Sequence, residues 1–232
     1  MNHYADAVVT VYQKVTYKTK LNITDENGKA VDGVTVTLLG RDGKTPITPN
    51  ENGTYTLGYG VYTYTLSKNG YVVTRGSFSL GSADAANVKD GVLTVKTAVL
   101  PKVGENAWDG KTKTEPKKDG NGVYLIGTAA ELAWFAATDG KSSAKLTADI
   151  ELAGYDWTPL KKFYGTFDGQ GHVIRNLYIN STSNTLGLIS YPQGGASVTG
   201  LGITGSVTCT NNTRIAQAGG IVGYMYDKAS IT

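Results

Sequence analysis

The stretch GTFDGQGHVIRNLYI, Gly165 to Ile179, places three glycines around an aspartate and a histidine and then runs into alternating apolar residues. How Asp168-Gly169-Gln170-Gly171-His172 is read decides the fold. An active site needs partners converging from elsewhere in the chain. A corner needs only glycines that tolerate positive φ and a strand to follow, and Val173, Ile174, Leu177 and Ile179 supply the strand pattern. We read the stretch as a corner. Asp168 then belongs to a turn, and His172 is a turn residue for which no orienting partner is identifiable along the sequence.

Working outward, the second half of the chain is a series of short apolar runs separated by Gly and Asn: Leu146 with Ile150 and Leu152, Phe163 and Phe167, Leu186 with Leu188 and Ile189, Val198 with Leu201 and Ile203, and Ile221-Val222. Two segments echo one another. Gly187-Leu188-Ile189-Ser190 matches Gly220-Ile221-Val222-Gly223, and Ile174 to Ile179 matches Val198 to Ile203, at spacings of about 33 and 24 residues that fall in the range of solenoid repeats. The expectation is a right-handed parallel β-helix over 123–232, truncated at its C-terminal end, each rung burying its face against the next. Before it, Thr128-Ala129-Ala130-Glu131 has the form of a capping box, and Leu132, Phe135 and Ala136 follow at helical spacing until Asp139-Gly140. A helix there would cover the apolar end of the first rung.

Between Pro101 and Gly122 the periodicity disappears under proline, lysine, glycine and threonine, which reads as a linker (101–122) whose Trp108 packs onto a neighbouring domain. The first half alternates with period two between turn signals such as Asp25-Glu26-Asn27-Gly28, Arg41-Asp42-Gly43 and Lys68-Asn69-Gly70. That spacing predicts a β-sandwich over 20–100. The run from Val9 to Ile23 exceeds a usual strand, so 1–19 is read as a leading strand from the end of a preceding module. The sequence opens inside one strand pattern and stops inside another, which suggests an interior piece of a longer protein.

Composition supports an all-β chain: 30 glycines and 15 tyrosines among 232 residues favour strands and tight turns over helices. A net charge of +3, from thinly spread lysines, gives no nucleic-acid footprint. No run of about 18 apolar residues is present to insert into a membrane. Cys209 is the only cysteine, so no intrachain disulfide forms, and with no histidine near it in sequence it reads as inert.

Catalytic chemistry is sparse. His3 and His172 are the only histidines and neither lies in an H-E-x-x-H context, so no catalytic, metal or cofactor site is expected. Asp149, Glu151, Asp156, Asp168, Lys161, Lys162 and Arg175 are the charged side chains an outer β-helix face could use on a polysaccharide. Among them Asp149 and Asp168, with His172, form the candidate site of an enzyme. Tyr55, Tyr59, Tyr62, Tyr64 and Tyr71 cluster in the first half; an exposed row would stack on sugars, whereas strand alternation alone predicts them half-buried.

The order Tyr124 to Ala136, Leu146 to Leu152, Trp157-Thr158-Pro159-Leu160 and Phe163 to Ile174 resembles GLUG-type right-handed β-helix domains of bacterial surface and secreted proteins, including the non-catalytic N-terminal part of immunoglobulin-A-specific metallopeptidases. The repeat that names the family is loosely kept as Ala218-Gly219-Gly220-Ile221-Val222-Gly223. Asp25 to Val36 and Gly60 to Tyr71 resemble carboxypeptidase-regulatory-like or collagen-adhesin B-type immunoglobulin-like modules. Such modules can carry a Lys to Asn crosslink, with Lys20 in the lysine's place; the usual glutamate is replaced by Thr65-Leu66-Ser67. The resemblance implies an extracellular location on a bacterial surface or in secretion, and a non-enzymatic role in adhesion or as a display spacer. Host or microbial glycans or glycoproteins, and neighbouring domains of the same chain, would be its partners. The alternative it leaves open is a β-helix protein that binds or cleaves polysaccharide.

Overall fold

The structure, a computed structural model, describes residues 14–104, 106–138, 140–211, 215–225 and 228–232, and its strand residues far outnumber its helical ones. Of the proposed leading strand, residues 1–13 lie outside the described residues. The chain forms two compact units: one gathers residues up to Asp32 with Val36–Leu66 and Arg75–Val99, the other Gly33–Thr35, Ser67–Thr74 and Leu100–Thr232.

The first half contributes β1 (Thr16–Asn22), β2 (Thr35–Leu39), β3 (Tyr55–Gly58), β4 (Gly60–Ser67), β5 (Thr74–Leu80), a single 3-10 helix Ser82–Asn87, β6 (Val88–Lys89) and β7 (Val92–Lys96). One sheet has the order β3-β1-β7-β6, with β1 antiparallel to β3 and parallel to β7; a second has the order β2-β4-β5. Period-two patterning is visible in β4, where Tyr62, Tyr64 and Leu66 are buried while Val61 and Thr63 are exposed. Burying a tyrosine requires a partner for its hydroxyl. Tyr62 donates to the Gly58 carbonyl at 2.8 Å, Tyr64 accepts from the Ala98 N–H at 2.6 Å, and Phe78 stacks on Tyr62 at 5.5 Å between centroids. Residue 76 is glycine because a Cβ there would stand 2.3 Å from the Tyr64 hydroxyl. Lys20 lies on the exposed side of β1, whereas the crosslink suggested by resemblance requires a lysine beside a buried acid.

The second unit continues with β8 (Lys117–Lys118), β9 (Tyr124–Ile126), α1 (Ala129–Ala136), β10 (Ala144–Leu146), β11 (Ile150–Glu151), β12 (Leu160–Phe163), β13 (Thr166–Asp168) and β14 (Val173–Ser181). After these come β15 (Thr185–Leu186), β16 (Ile189–Pro192), β17 (Ser197–Thr199), β18 (Gly202–Cys209), β19 (Gln217–Ala218) and β20 (Ser230–Ile231). Apart from the antiparallel pair β8 and β9, its ladders are parallel: β9-β10-β13-β17-β20, β11-β14-β18, β12-β16 and β15-β19. Each strand therefore pairs with one reached after a long excursion. The pairings set Tyr124, Ala144, Phe167, Val198 and Ile231 in one column, and all but the last are buried.

Helix α1 begins as its sequence predicts. Thr128 Oγ1 accepts from the Glu131 N–H at 3.2 Å, and Glu131 Oε2 accepts in return from the Thr128 and Gly127 N–H groups at 2.9 Å each. Leu132 and Phe135 are buried in the core of the unit, and Phe135 lies about 6 Å from the rings of Tyr124, Phe163 and Phe167.

The corner reading of Asp168 to His172 matches the backbone. Gln170 and Gly171 have φ of 52° and 79°. Gly169 and Gly171 donate to the Thr199 and Gly200 carbonyls at 2.8 Å each, and a Cβ on Gly169 would meet Gly200 O at 2.4 Å. This corner lies directly on the corner of the next strand, and only glycine fits between them.

One sequence echo is a structural neighbour and the other is not. Ile189 bridges Val222 in parallel, the register the first echo implies. In the second, Ile174 pairs with Ile203 and Val198 with Phe167, so the match of Ile174 to Val198 is a correction: it aligned two strands of different sheets. Similar apolar and glycine spacing at adjacent corners produced the false register. Trp108 is buried in the core of the second unit itself, its N–H bonded to Glu151 O at 3.0 Å and its indole Nε1 to Thr112 O at 2.9 Å.

Candidate functional site

The ladder β11-β14 brings together side chains that lie far apart in sequence. Asp149 Oδ1 is 3.2 Å from His172 Nδ1 and accepts from the Val173 N–H at 3.0 Å, and Asp149 Oδ2 accepts from Arg175 Nη2 at 2.7 Å. All three side chains are solvent-accessible: Asp149 and Arg175 are about half exposed and His172 a third. The Val173 N–H, then His172 and Arg175, hold the Asp149 carboxyl below the usual carboxylate range. His172 thus has an orienting partner, a correction to the sequence reading. The partner was invisible because it arrives from the preceding strand of the stack, 23 residues away.

Next to this group, Asn176 sits at a shift in register between Ile174 and Leu177, with φ of 54°. Its amide donates to both oxygens of Glu151, at 2.9 and 3.1 Å. Asparagine takes the left-handed region more readily than most residues, and the bulge places its side chain against the neighbouring strand. Glu151 also accepts from the Ala153 N–H at 2.7 Å.

Asp168 is engaged elsewhere. Its Oδ1 accepts from the Gln170 N–H at 3.0 Å and its Oδ2 from the Gln170 side-chain amide, so it closes its own turn. Of the three residues named for an enzyme site, the structure joins Asp149 to His172, while the Asp168 carboxylate bonds within its turn. Cys209 Sγ contacts the Ser183 carbonyl at 3.2 Å. No group of three or more His, Cys, Asp or Glu side chains suited to a metal ion occurs among the described residues, and His3 lies outside them.

The tyrosine row is corrected. Tyr55, Tyr62 and Tyr64 are 4 to 5% exposed and belong to the core of the first unit; Tyr59 is exposed at 38%. Alternation along β4 turns Tyr62 and Tyr64 to the same inner face, where their rings supply apolar area and their hydroxyls find backbone partners. Tyr71, in the second unit, is half-buried with the Lys68 ammonium 5.6 Å from its ring centroid.

Sequence reasoning missed a cleft of about 610 Å³ in the second unit. It is formed by the loop before β12, by β12 itself, by the end of β14 with the loop after it, and by β16. Trp157 lies in its wall, and its buried indole Nε1 has no acceptor among the described residues. An unsatisfied buried donor costs about 1–3 kcal/mol. Three of its lining residues, Asp156, Lys161 and Lys162, stand among the charged candidates read from the sequence for an outer face, and Trp157-Thr158-Pro159-Leu160 was noted only for its resemblance; that they meet in one cleft was not seen there.

Among the described residues no helix is long and apolar enough to cross a membrane. Comparison of the chain with family models, curated proteins and solved structures finds no match.

Proposed function

We propose that this chain is a non-enzymatic adhesion or display module of an extracellular bacterial surface or secreted protein. Its first unit is an immunoglobulin-like β-sandwich and its second a right-handed parallel β-helix of GLUG type, opened by α1 as a cap. The observation that carries this reading is the column Tyr124, Ala144, Phe167, Val198 and Ile231, whose members recur at intervals of about 20 to 33 residues in parallel register, as rungs of a solenoid do. Stacked corners support it, since Gly169 and Gly200 meet backbone to backbone. A solenoid presents long faces of strand and loop side chains on a fixed spacing, which suits contact with extended polymers. The test is retention of the purified chain on arrays of neutral and acidic glycans and on mucin glycoproteins. Selective retention without new chain ends supports the reading; failure to retain any of them overturns adhesion and leaves a spacer.

A second reading, cleavage of a polysaccharide, is favoured by the pairing of His172 with Asp149, which orients an imidazole at a solvent-accessible face. New chain ends released from an acidic or neutral polysaccharide, and lost in Asp149→Asn, would establish it. Release that persists in that variant would exclude this pair as its source.

A further inference from the structure

We infer that the cleft beside Trp157 is a binding site for an anionic oligosaccharide, carboxylated or sulfated. This deepens the adhesion reading and rests on it. The volume, about 610 Å³, falls in the range of about 300–1,000 Å³ usual for ligand sites. Its lining combines the three chemistries that recognise a charged sugar: cations, amides and an aromatic side chain.

The cations come from β12. Leu160 and Phe163 are buried and anchor the strand in the core, and the two residues between them, Lys161 and Lys162, are both exposed and both line the cleft. Among the described residues Asp156 is the one carboxylate in the lining, against two lysines, so positive charge predominates there. The aromatic group is Tyr191, which the ladder sets opposite Lys162. Its hydroxyl lies 2.7 Å from Thr185 Oγ1, which fixes the ring beside the lysine. Asn180 and Asn184 add planar amides that can donate and accept together, as the adjacent hydroxyls of a sugar require. Trp157, whose buried Nε1 has no acceptor among the described residues, completes the wall. Nucleic acid is disfavoured because the lysines of the cleft number two among the described residues and the chain as a whole carries a net charge of only +3.

The test is isothermal titration of the full chain with trigalacturonate as the carboxylated probe, a heparin-derived tetrasaccharide as the sulfated one, and maltotriose as the neutral control. Either acidic probe should bind at least about tenfold more tightly than maltotriose, and more weakly as salt rises. The paired change Lys161→Gln with Lys162→Gln should cost about tenfold for the acidic probe, whereas Lys18→Gln, on the exposed side of β1, should change nothing. Tryptophan fluorescence for the paired change, and circular dichroism for Lys18→Gln, check that the variants remain folded. Equal binding of maltotriose, no binding of either acidic probe, or affinity unmoved by the paired change would overturn the inference. The two readings fail separately. Retention of a neutral glycan that survives the paired change keeps adhesion and rejects this cleft, while loss of all retention on the arrays rejects adhesion itself.

Discussion

Replacing Phe135 by alanine tests whether α1 is an integral part of the core of the second unit. The side chain is 1% exposed and lies about 6 Å, centroid to centroid, from Tyr124, Phe163 and Phe167. Truncating a buried phenylalanine costs about 3–5 kcal/mol, the upper part of the range applying where the walls cannot collapse. Here they are strand residues: Tyr124 and Phe167 are fixed in one ladder by the registers of β9, β10 and β13, and Phe163 in another by the pairing of β12 with β16. A loss of about 4 kcal/mol is expected. With a urea slope of about 2 kcal/mol/M, the midpoint should fall by about 2 M. All three tryptophans, Trp108, Trp134 and Trp157, lie in the second unit, so urea unfolding followed by tryptophan fluorescence reports that unit without interference from the first. Phe135→Leu, which nearly keeps the volume, should cost less than about 1.5 kcal/mol. A midpoint shift below about 0.5 M for Phe135→Ala would refute the argument, because a helix merely resting on the surface would lose little.

Three further outcomes follow from other features. Thr128→Ala removes the acceptor of the Glu131 N–H and should lower stability by about 0.5–2 kcal/mol on the same fluorescence transition. Gly140→Ala combines a φ of 71° with a Cβ 1.8 Å from Lys162 O, and should cost well above the about 1–2 kcal/mol expected of Gly122→Ala, whose φ is 79° but whose Cβ would meet nothing; equal midpoints for the two would show that the close approach is relaxed at no cost. Because the Asp149 carboxyl titrates below its ordinary value, its contribution to stability is present above the unfolded pKa of about 3.9 and is lost as pH falls through the depressed folded value. Arg175→Gln should move that titration upward when followed by carbon NMR of the carboxyl, and an unmoved titration would assign the depression to the Val173 N–H and His172 alone.

What was legible in the sequence was whatever depends on near neighbours. The capping box spans Thr128 to Glu131 and formed as read. The glycines of Asp168 to His172 marked a corner because positive φ is a local demand. The alternation in β4 was equally plain, but alternation does not say which face is buried, and tyrosine serves either side; the inner face won because Gly58 and Ala98 offered the hydroxyls partners. Register between strands is non-local. It turned on which of several similar apolar triplets meets which, and the Ile174 to Val198 match fell to a pairing of Ile174 with Ile203. Asp149 with His172, and the cleft assembled from residues 156 to 191, share the same cause: their members become neighbours only through the stacking of successive strands.

That stacking also bears on the choice between corner and catalyst. Asp149 accepts from a backbone N–H, an imidazole nitrogen and a guanidinium, every one of them on β14 or the residue that leads into it. A carboxylate so occupied has its negative charge stabilised, which makes it a poor proton donor at neutral pH and a weak base. What it does well is bind one strand to the next at an edge where the side chains face water, as Glu151 does for Asn176 a short distance along. Both acids of this stretch, two residues apart, thus join the β11 segment to β14, its partner in the ladder. The same arrangement would serve catalysis only if His172 were the working base and Asp149 its support. Asp149→Asn separates the cases: an amide in that position keeps the shape but loses the charge, so a structural tie would show as lowered stability alone, and a catalytic support as lost turnover in a chain still folded.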